Sequence, residues 1–290
     1  MPRQYRRQRK VKRIAIVTDS TADIPADVAN AWGVTVVPLM VNFGSEQYRD
    51  GVDITSEQFY PKLASSQILP TTSQPSPAEF KDTYERLLQD HDSIISIHIS
   101  SGLSGTLTSA QTAKGMVDGN IYIVDSQSIS LGIALIVAEA VEMVQQGLAA
   151  SEIVARLEQV KKSTEVMFTL DTLEYLHKGG RIGKVHAVMG AMLNIKPIVR
   201  VVDGIYIPVA KVRRQEQALK EMVREFQTLA AGKTVKRLVV AHGAAAKAAE
   251  FLAQKLQQAF DLAPSFFVPV GPVIGVHTGP GTVGAALLLE

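Results

Sequence analysis

The chain reads as an α/β protein of two domains. The first is an N-terminal, parallel-sheet, Rossmann-like three-layer domain, and the second a C-terminal mixed-sheet α/β domain. Three observations predict this. Strand-like apolar runs alternate with helix-like runs through the first half, which argues for a parallel sheet covered by helices on both faces. Past about residue 162 the alternation gives way to antiparallel signals, the clearest at Asp203-Gly204. A length of 290 residues with 46% hydrophobic content suffices for two ordinary cores. The expected divisions are a basic, disordered leader over 1–12, an α/β domain over 13–162 and a mixed α/β domain over 163–290.

The elements follow in order. "RIAIVTDS" is a short apolar run ending in turn residues, hence a strand. "TADIPADVANAWG" is a helix, with Asp23 as N-cap, Pro25 in the first turn and Gly33 as its stop. "VTVVPLMVNF" is a second strand, and Thr55 or Ser56 caps the helix "SEQFYPKLASS" in spite of Pro61. "PTTSQPSPAEF" is a loop leading into the helix "PAEFKDTYERLLQ". "SIISIHIS" is a third strand, followed by the Ser/Gly-rich turn "ISSGLSG" and the helix "TLTSAQTAKGMV". "IYIVDS" is a fourth strand, and "SLGIALIVAEAVEMVQQG" a long buried helix whose most apolar part, "GIALIVAEAV", is interrupted by Glu139.

In the second half "VMFTL" is a strand, and "DTLEYLHKGGRIG" a short helix running into a Gly-rich turn. "KVHAVMGAMLN" is a helix, and "KPIVRVVDGIYIPVAKVR" a β-hairpin. A helix over about 214–230, the strand "VKRLVVAH" and the helix "AKAAEFLAQKLQQAF" follow. Two last short strands flank the Gly-rich loop "GPVIGVHTGPGTVG".

Composition removes several function classes. There are no cysteines, which excludes disulfides and thiolate metal sites and fits a cytoplasmic location. The charged N-terminus is followed by no apolar signal region, and no segment reaches about 18 uninterrupted apolar residues. The net charge of +2 is unevenly placed. "MPRQYRRQRKVKR" carries seven Lys/Arg, and the remaining 23 basic residues face 28 acids. The leader allows peripheral or transient contact with an anionic membrane. An acidic body argues against a nucleic-acid partner.

Motif searches narrow the chemistry further. The first strand–helix turn, "TDSTAD", lacks the glycines of a dinucleotide fingerprint, and no G-x-x-x-x-G-K-[ST] occurs anywhere. The histidines show no metal-ligand spacing, so no metal is expected. "GLSGT" (Gly102–Thr106) nearly spells the G-x-S-x-G nucleophile elbow but ends in Thr106. A serine hydrolase acting on acyl esters through Ser104, with His277 as base, is therefore one reading. The other is anion binding without covalent chemistry. A helix beginning near Ser104 offers free N–H groups and the positive end of its dipole. The hydroxyls of Ser101 and Ser104 add donors. "TTSQPS" (Thr71–Ser76) is a second hydroxyl-rich helix start, and together the two would cradle a carboxylate or a single phosphate. Ordinary helix capping would explain either motif alone. Arg181 in "HKGGRIG" is a candidate fork for an anion. Five glycines around His277 and Thr278 suggest close backbone approach to something.

Taken in order, "VTDSTADIP", "TTSQPS", "SSGLSGT", "VDS", "LHKGGRIG", "KPIV", "DG", "KVR" and "GPVIGVHTGPGTVG" resemble the DegV family, over residues 13–290. The resemblance implies two α/β domains with a long-chain fatty acid such as palmitate, stearate or oleate between them. It implies no cofactor and no catalytic residue of the chain's own. The acid would be presented to a separate fatty acid kinase catalytic subunit, which phosphorylates its carboxyl group on the way to phospholipid synthesis. Thr72 and Ser104 match positions whose hydroxyls hold the carboxylate. Ser73, Ser101 and Gly105, close neighbours in the same motifs, and His277 and Thr278 in the last motif are implied to bind the fatty acid with them. Arg181 and His277 match residues used in handing the acid over, and Arg213 matches an arginine that docks the kinase. Similar chains often read K-V-R-x-x-K-K, where this one reads "KVRRQEQ". A buried methylene contributes about 0.8 kcal/mol, so a C16 chain supplies on the order of 10 kcal/mol before the cost of association. Expected lining residues come from "SLGIALIVAEAV" and "KVHAVMGAMLN", with Met189 and Met192 as adaptable fillers.

Overall fold

The computed structural model describes residues 13–188 and 195–290. The basic leader and the expected lining residues Met189 and Met192 lie outside the described residues.

The first half runs β1 (Ile14–Asp19), a 3-10 turn (Ser20–Ala22), α1 (Ala26–Trp32), β2 (Val34–Val37), β3 (Met40–Phe43), β4 (Glu46–Arg49), α2 (Ser56–Ser65), β5 (Thr71–Ser73), α3 (Pro77–Leu88), β6 (Ser93–His98), α4 (Thr106–Lys114), β7 (Ile121–Asp125), α5 (Leu131–Gln145) and α6 (Ala150–Ser163). The second half runs β8 (Thr164–Thr169), α7 (Glu174–Lys178), a 3-10 turn (Gly183–Val188), β9 (Lys196–Val202), β10 (Ile205–Val212), α8 (Gln215–Leu229), β11 (Val235–His242), α9 (Ala246–Phe260), β12 (Phe267–Pro269), α10 (Pro272–Thr278) and β13 (Val283–Leu289).

Three sheets organise these elements. The first is wholly parallel, in the order β2-β1-β6-β7. The second is mixed, in the order β10-β9-β8-β13-β11-β12, with only β11 and β12 parallel. The third is a small antiparallel sheet, β4-β3-β5. Helices α3 and α4 cover the outer face of the parallel sheet, and α8 and α9 the outer face of the mixed one. Helices α5 and α6 lie between the two sheets and touch both. This explains why α5 is apolar all round, since it has no solvent face to keep polar. Its one charged interior residue, Glu139, is 7% exposed and pairs with Lys236 and Arg237 of β11 at 2.8 and 2.9 Å. A buried carboxylate persists only with such partners.

The architecture is the expected α/β one, with several local corrections. The run Val34–Phe43 is not one strand. Pro38, which has no N–H to donate, separates β2 in the parallel sheet from β3 in the small sheet. Asp23 does not cap α1; it closes the preceding 3-10 turn in a left-handed conformation (φ 51°), and Pro25 takes the cap position. Thr71–Ser73, expected as loop, pairs with β3 as a strand. The helix expected to begin near Ser104 starts at Thr106, after Gly105. Helix α6 has no counterpart among the expected elements. The first part of the Gly-rich stretch, "GPVIGVHT", is helical (α10) and buried against α2, α7 and β3. The described part of "KVHAVMGAMLN" is a 3-10 turn.

The change from the parallel to the mixed sheet falls between α6, which ends at Ser163, and β8, which starts at Thr164. One apolar cluster continues across that point, from Ile14 and Ile97 through α5 to Val166 and Leu288.

Candidate functional site

The site is assembled at the carboxyl ends of β1 and β6, where a parallel sheet opens a crevice. Asp19 ends β1 fully buried. Its carboxylate accepts the N–H groups of Thr21 and Ile99, both at 3.1 Å, the Thr21 hydroxyl, and His98 Nδ1 at 2.9 Å. His98 Nε2 continues to Ser96 (2.7 Å) and thence to Tyr84 (2.9 Å). This buried chain of satisfied polar groups fixes the start of the "SSGLSG" loop to the core.

Two glycines then let neighbouring loops close on it. A Cβ at Gly105 would stand 2.0 Å from Gln74 Oε1, so glycine leaves room for the Gln74 side chain in its present position. Gln74 goes on to donate to Ser109 at 2.9 Å. At the hairpin turn Gly204 (φ 78°) packs against Ser100, whose hydroxyl donates to the Gly204 carbonyl at 2.8 Å. The hairpin of the second half thus rests on the loop of the first.

Four of the residues expected at the site meet around one small cavity: Thr72, Ser104, Arg181 and His277. Thr72 Oγ1 and His277 Nε2 are 2.9 Å apart. Ser104 Oγ lies 2.9 Å from Thr106 Oγ1 and accepts the Thr106 N–H at 3.3 Å. Arg181 donates to the carbonyls of Gly179 (2.8 Å) and Leu103 (3.4 Å) and makes no ion pair among the described residues. Burial, and secondarily the Arg181 charge, push the His277 imidazole down to about 4. The ring is therefore neutral at pH 7. Its Nδ1 is buried without a hydrogen-bond partner among the described residues. It lies so close to Gly179 that a Cβ there would be 2.3 Å away. This mouth holds a cation, a neutral ring and the hydroxyls of Thr72 and Ser104 among others, with no carboxylate lining it. It is complementary to an anion.

The geometry does not make a nucleophile of Ser104. His277 faces Thr72 rather than Ser104, and no acid among the described residues orients its Nδ1, so these residues do not assemble the serine–histidine–acid relay of a hydrolase.

Behind the mouth lies a second, small cavity, sharing Ile129, Tyr206 and Ile274 with the first. Leu131, Phe168, Ala241 and Ala285 are among its apolar walls. Thr278 lines it too, but its hydroxyl is spent on the Ile274 carbonyl at 3.0 Å. The cavity is bounded by the start of α5 on one side, α10 on another and strands β8, β11 and β13 beneath.

The other expected residues stand elsewhere. Ser73 is exposed, on the strand position following Thr72 and so on the opposite face. Ser101 is exposed and donates to Asp125 at 2.5 Å. Gly105 serves the approach of Gln74. Arg213 is exposed just before α8.

Sequence reading missed one feature. Asp23 and Asp50 both come within 4 Å of where a Cβ of Gly271, the cap of α10, would be. Asp23 accepts the Gly271 N–H at 2.9 Å and the hydroxyl of Ser130. Asp50 is 4% exposed and its Oδ2 has no hydrogen-bond partner among the described residues. Burial, reinforced by the neighbouring carboxyls, raises Asp23 to about 7 and Asp50 to about 8. The partners of Asp23 lie 107 and 248 positions away, so no local signal marks it.

Among the described residues no group of three or more His, Asp or Glu is placed to hold a metal ion, and no helix is long and apolar enough to cross a membrane.

Fold and site together define an α/β protein with an anion-complementary mouth opening on an apolar cavity. The chain belongs to the DegV family, matching over residues 13–290 the family described as "Uncharacterised protein, DegV family". A DegV domain-containing protein of Halalkalibacterium halodurans is 40% identical over 280 residues, which cover 96% of this chain and 99% of that relative. The structure of a fatty-acid-binding DegV family protein from Thermus thermophilus is similar with a TM-score of 0.91 and 36% identity, over 96% of this chain and 100% of that one. A stearic-acid-binding protein from Eubacterium ventriosum is similar with a TM-score of 0.88 and 27% identity, over 95% and 98% of the two chains.

Proposed function

We propose that the chain binds a long-chain fatty acid such as palmitate, stearate or oleate and presents it to a separate fatty acid kinase. The observation that carries this reading is Arg181, a cation without an ion-pair partner among the described residues, set beside neutral His277 where the polar mouth adjoins the apolar cavity. In this reading the hydroxyls of Thr72 and Ser104 donate to the carboxylate. Arg181 neutralises it, and the acyl chain runs past Ile129 and Ile274 toward Phe168 and Ala285. Affinity comes from the apolar chain, and the polar mouth fixes which end lies outward. The fatty acids bound by similar proteins from Thermus thermophilus and Eubacterium ventriosum support the ligand class.

The kinase step places one further demand on the mouth. A carboxylate oxygen attacks the γ-phosphorus of ATP, the new P–O bond forms as the bond to the bridging oxygen breaks, and ADP leaves. All nucleotide chemistry belongs to the partner, and this chain holds the nucleophile still. Arg181 and His277 are the residues proposed to face the carboxylate at hand-over, and Arg213 to dock the partner from its exposed place before α8. Ser101 is assigned a contact with Asp125, and Ser73 an exposed place on β5, rather than ligand contacts. The cytoplasm and the domain limits 13–162 and 163–290 belong to the same proposal.

The test is solvent extraction of the purified protein with mass spectrometry, followed by titration of the stripped protein with palmitate and oleate. Co-purified C16–C18 acids and saturable uptake are expected. A protein that carries none and takes up neither acid refutes the reading. For the kinase step, the loaded protein is incubated with a bacterial fatty acid kinase catalytic subunit and ATP, and acyl-phosphate is trapped with hydroxylamine. Acyl hydroxamate that depends on this protein is expected.

A further inference from the structure

The apolar cavity is walled by a hydrogen-bonded sheet on one side and by two helix starts on the other. Strands β8, β11 and β13 are tied into one sheet by backbone hydrogen bonds. The opposite walls are two helix starts: Ile129, Ser130 and Leu131 entering α5, and Val270 and Ile274 around the start of α10. A single side chain joins those starts. Asp23 Oδ1 accepts the N–H of Gly271 at 2.9 Å, and Oδ2 accepts the hydroxyl of Ser130. Asp23 itself is anchored in the turn that follows β1, apart from both helices.

Both ends of this link are built for it. Ser130 holds φ 49° and ψ −125°, a backbone region a side-chain-bearing residue keeps only when its surroundings impose it. Its hydroxyl bond to Asp23 is one such restraint. Gly271 has no room for a side chain, since a Cβ would stand 2.7 Å from Asp23 Oδ1. Asp50 lies beside the same helix start, its Oδ1 3.5 Å from where a Gly271 Cβ would be.

We propose that Asp23 is a positioning residue that clasps the starts of α5 and α10 together and so sets the rate at which a bound acyl chain leaves the cavity. This rests on the fatty-acid reading above. Asp23 touches no ligand; it acts by holding two walls shut. The carboxylate end is held separately, by Thr72, Ser104 and Arg181, some distance along the cavity.

The experiment is stopped-flow release of cis-parinaric acid, a fluorescent long-chain fatty acid, from the full chain chased with excess oleate. Asp23→Ala is expected to release it at least about tenfold faster, and Ser130→Ala, which cuts only the α5 arm, several-fold faster. Association changes much less in each, as is usual when affinity is lost through release. Asp23→Asn keeps an acceptor for Gly271 and a donor toward Ser130, and its release is expected within about threefold of wild type, as for other changes that leave the paired groups satisfied. If Asp23→Ala does not fold, Ser130→Ala carries the test. Wild-type release rates in folded Ser130→Ala and Asp23→Ala overturn the clasp while leaving the fatty-acid reading standing. Release as fast in Asp23→Asn as in the alanine variant also overturns it. A wild-type protein that takes up no cis-parinaric acid refutes the fatty-acid reading itself, and the clasp's role in release falls with it.

Discussion

The two ends of α10 make an instructive pair. Its C-terminal end carries His277 into the mouth, where Arg181 supplies a positive charge with no ion-pair partner among the described residues. Its N-terminal end meets Asp23 and Asp50, two carboxyls with no cation among the residues lining their cleft. Protein interiors usually satisfy such groups. Here the imbalances are resolved differently. In the proposed function the mouth is completed by an anionic ligand, whereas burial favours the protonated form of the carboxyl pair and Asp23 accepts the N–H that begins the helix. The lesson is that an unpaired charge marks a binding site only where geometry leaves it an approach and where no proton can relieve it. Arginine keeps its charge at any relevant pH, but a carboxyl does not.

Removing the cation should break that contrast most sharply. Arg181→Met is expected to weaken palmitate binding by about ten- to a hundredfold, the range for losing a charged hydrogen bond. Uptake of the uncharged methyl ester should barely change. Calorimetry on the stripped protein reads both, and an equal loss for acid and ester would mean that Arg181 shapes the cavity and does not bind the charge.

The hydroxyls should have a smaller effect. Ser104→Ala and Thr72→Val are each expected to cost about tenfold in palmitate affinity, the lower end of the range for a hydrogen bond to a charged group. Thr72→Val also frees His277 Nε2 from its only described hydrogen bond. The imidazole resonances should therefore shift in Thr72→Val and stay in place in Ser104→Ala.

The proton side of the comparison is read by pH. The ordinary value for Asp23 and Asp50 is 3.8, and burial raises them to about 7 and 8. Between those limits the folded chain holds protons that the unfolded chain has lost. Their contribution to stability is thus complete below about pH 4 and is lost as pH rises through 7 to 8. His277 runs the other way. Its pKa falls from 6.5 to about 4, so it lowers stability as pH falls through that window and contributes nothing to the slope above it. Denaturant unfolding between pH 6.5 and 8.5 isolates the carboxyls. Wild type should lose stability across that range, and Asp50→Asn should lose less.

The smallest effect on binding is expected at Arg213, which lies outside both regions. Arg213→Ala should leave the palmitate affinity within about twofold of wild type, like most surface substitutions, and lower only the kinase-dependent yield of acyl hydroxamate.

Much of this was legible in the sequence, for local reasons. β1, β6 and β7 announce themselves as short apolar runs, α5 as an apolar helix with no polar face, and the hairpin by Asp203-Gly204. The segments bearing Thr72 and Ser104 are visible as hydroxyl-rich stretches ahead of helices α3 and α4. What stayed hidden depends on contacts distant in the chain. Helix α10 contains two glycines or prolines in its first four residues, Pro272 and Gly275, which lowers its intrinsic propensity. Burial against α2 and α7 overrides that. Asp23 resembles a helix cap because a cap and a clasp both need a short carboxylate after a strand, and only the fold brings Ser130 and Gly271 to it. Thr71–Ser73 is too short to show a strand pattern without its partner β3.

The most direct test of the central claim is a crystal structure of the stripped protein reloaded with 16-bromopalmitate. The expected result is a carboxylate within hydrogen-bonding distance of Ser104 Oγ and Thr72 Oγ1, facing Arg181, with the anomalous bromine peak inside the cavity lined by Leu131, Phe168 and Ala285. A bromine peak in the cleft beside Asp23 and Asp50, or a carboxylate turned away from Arg181, would contradict it.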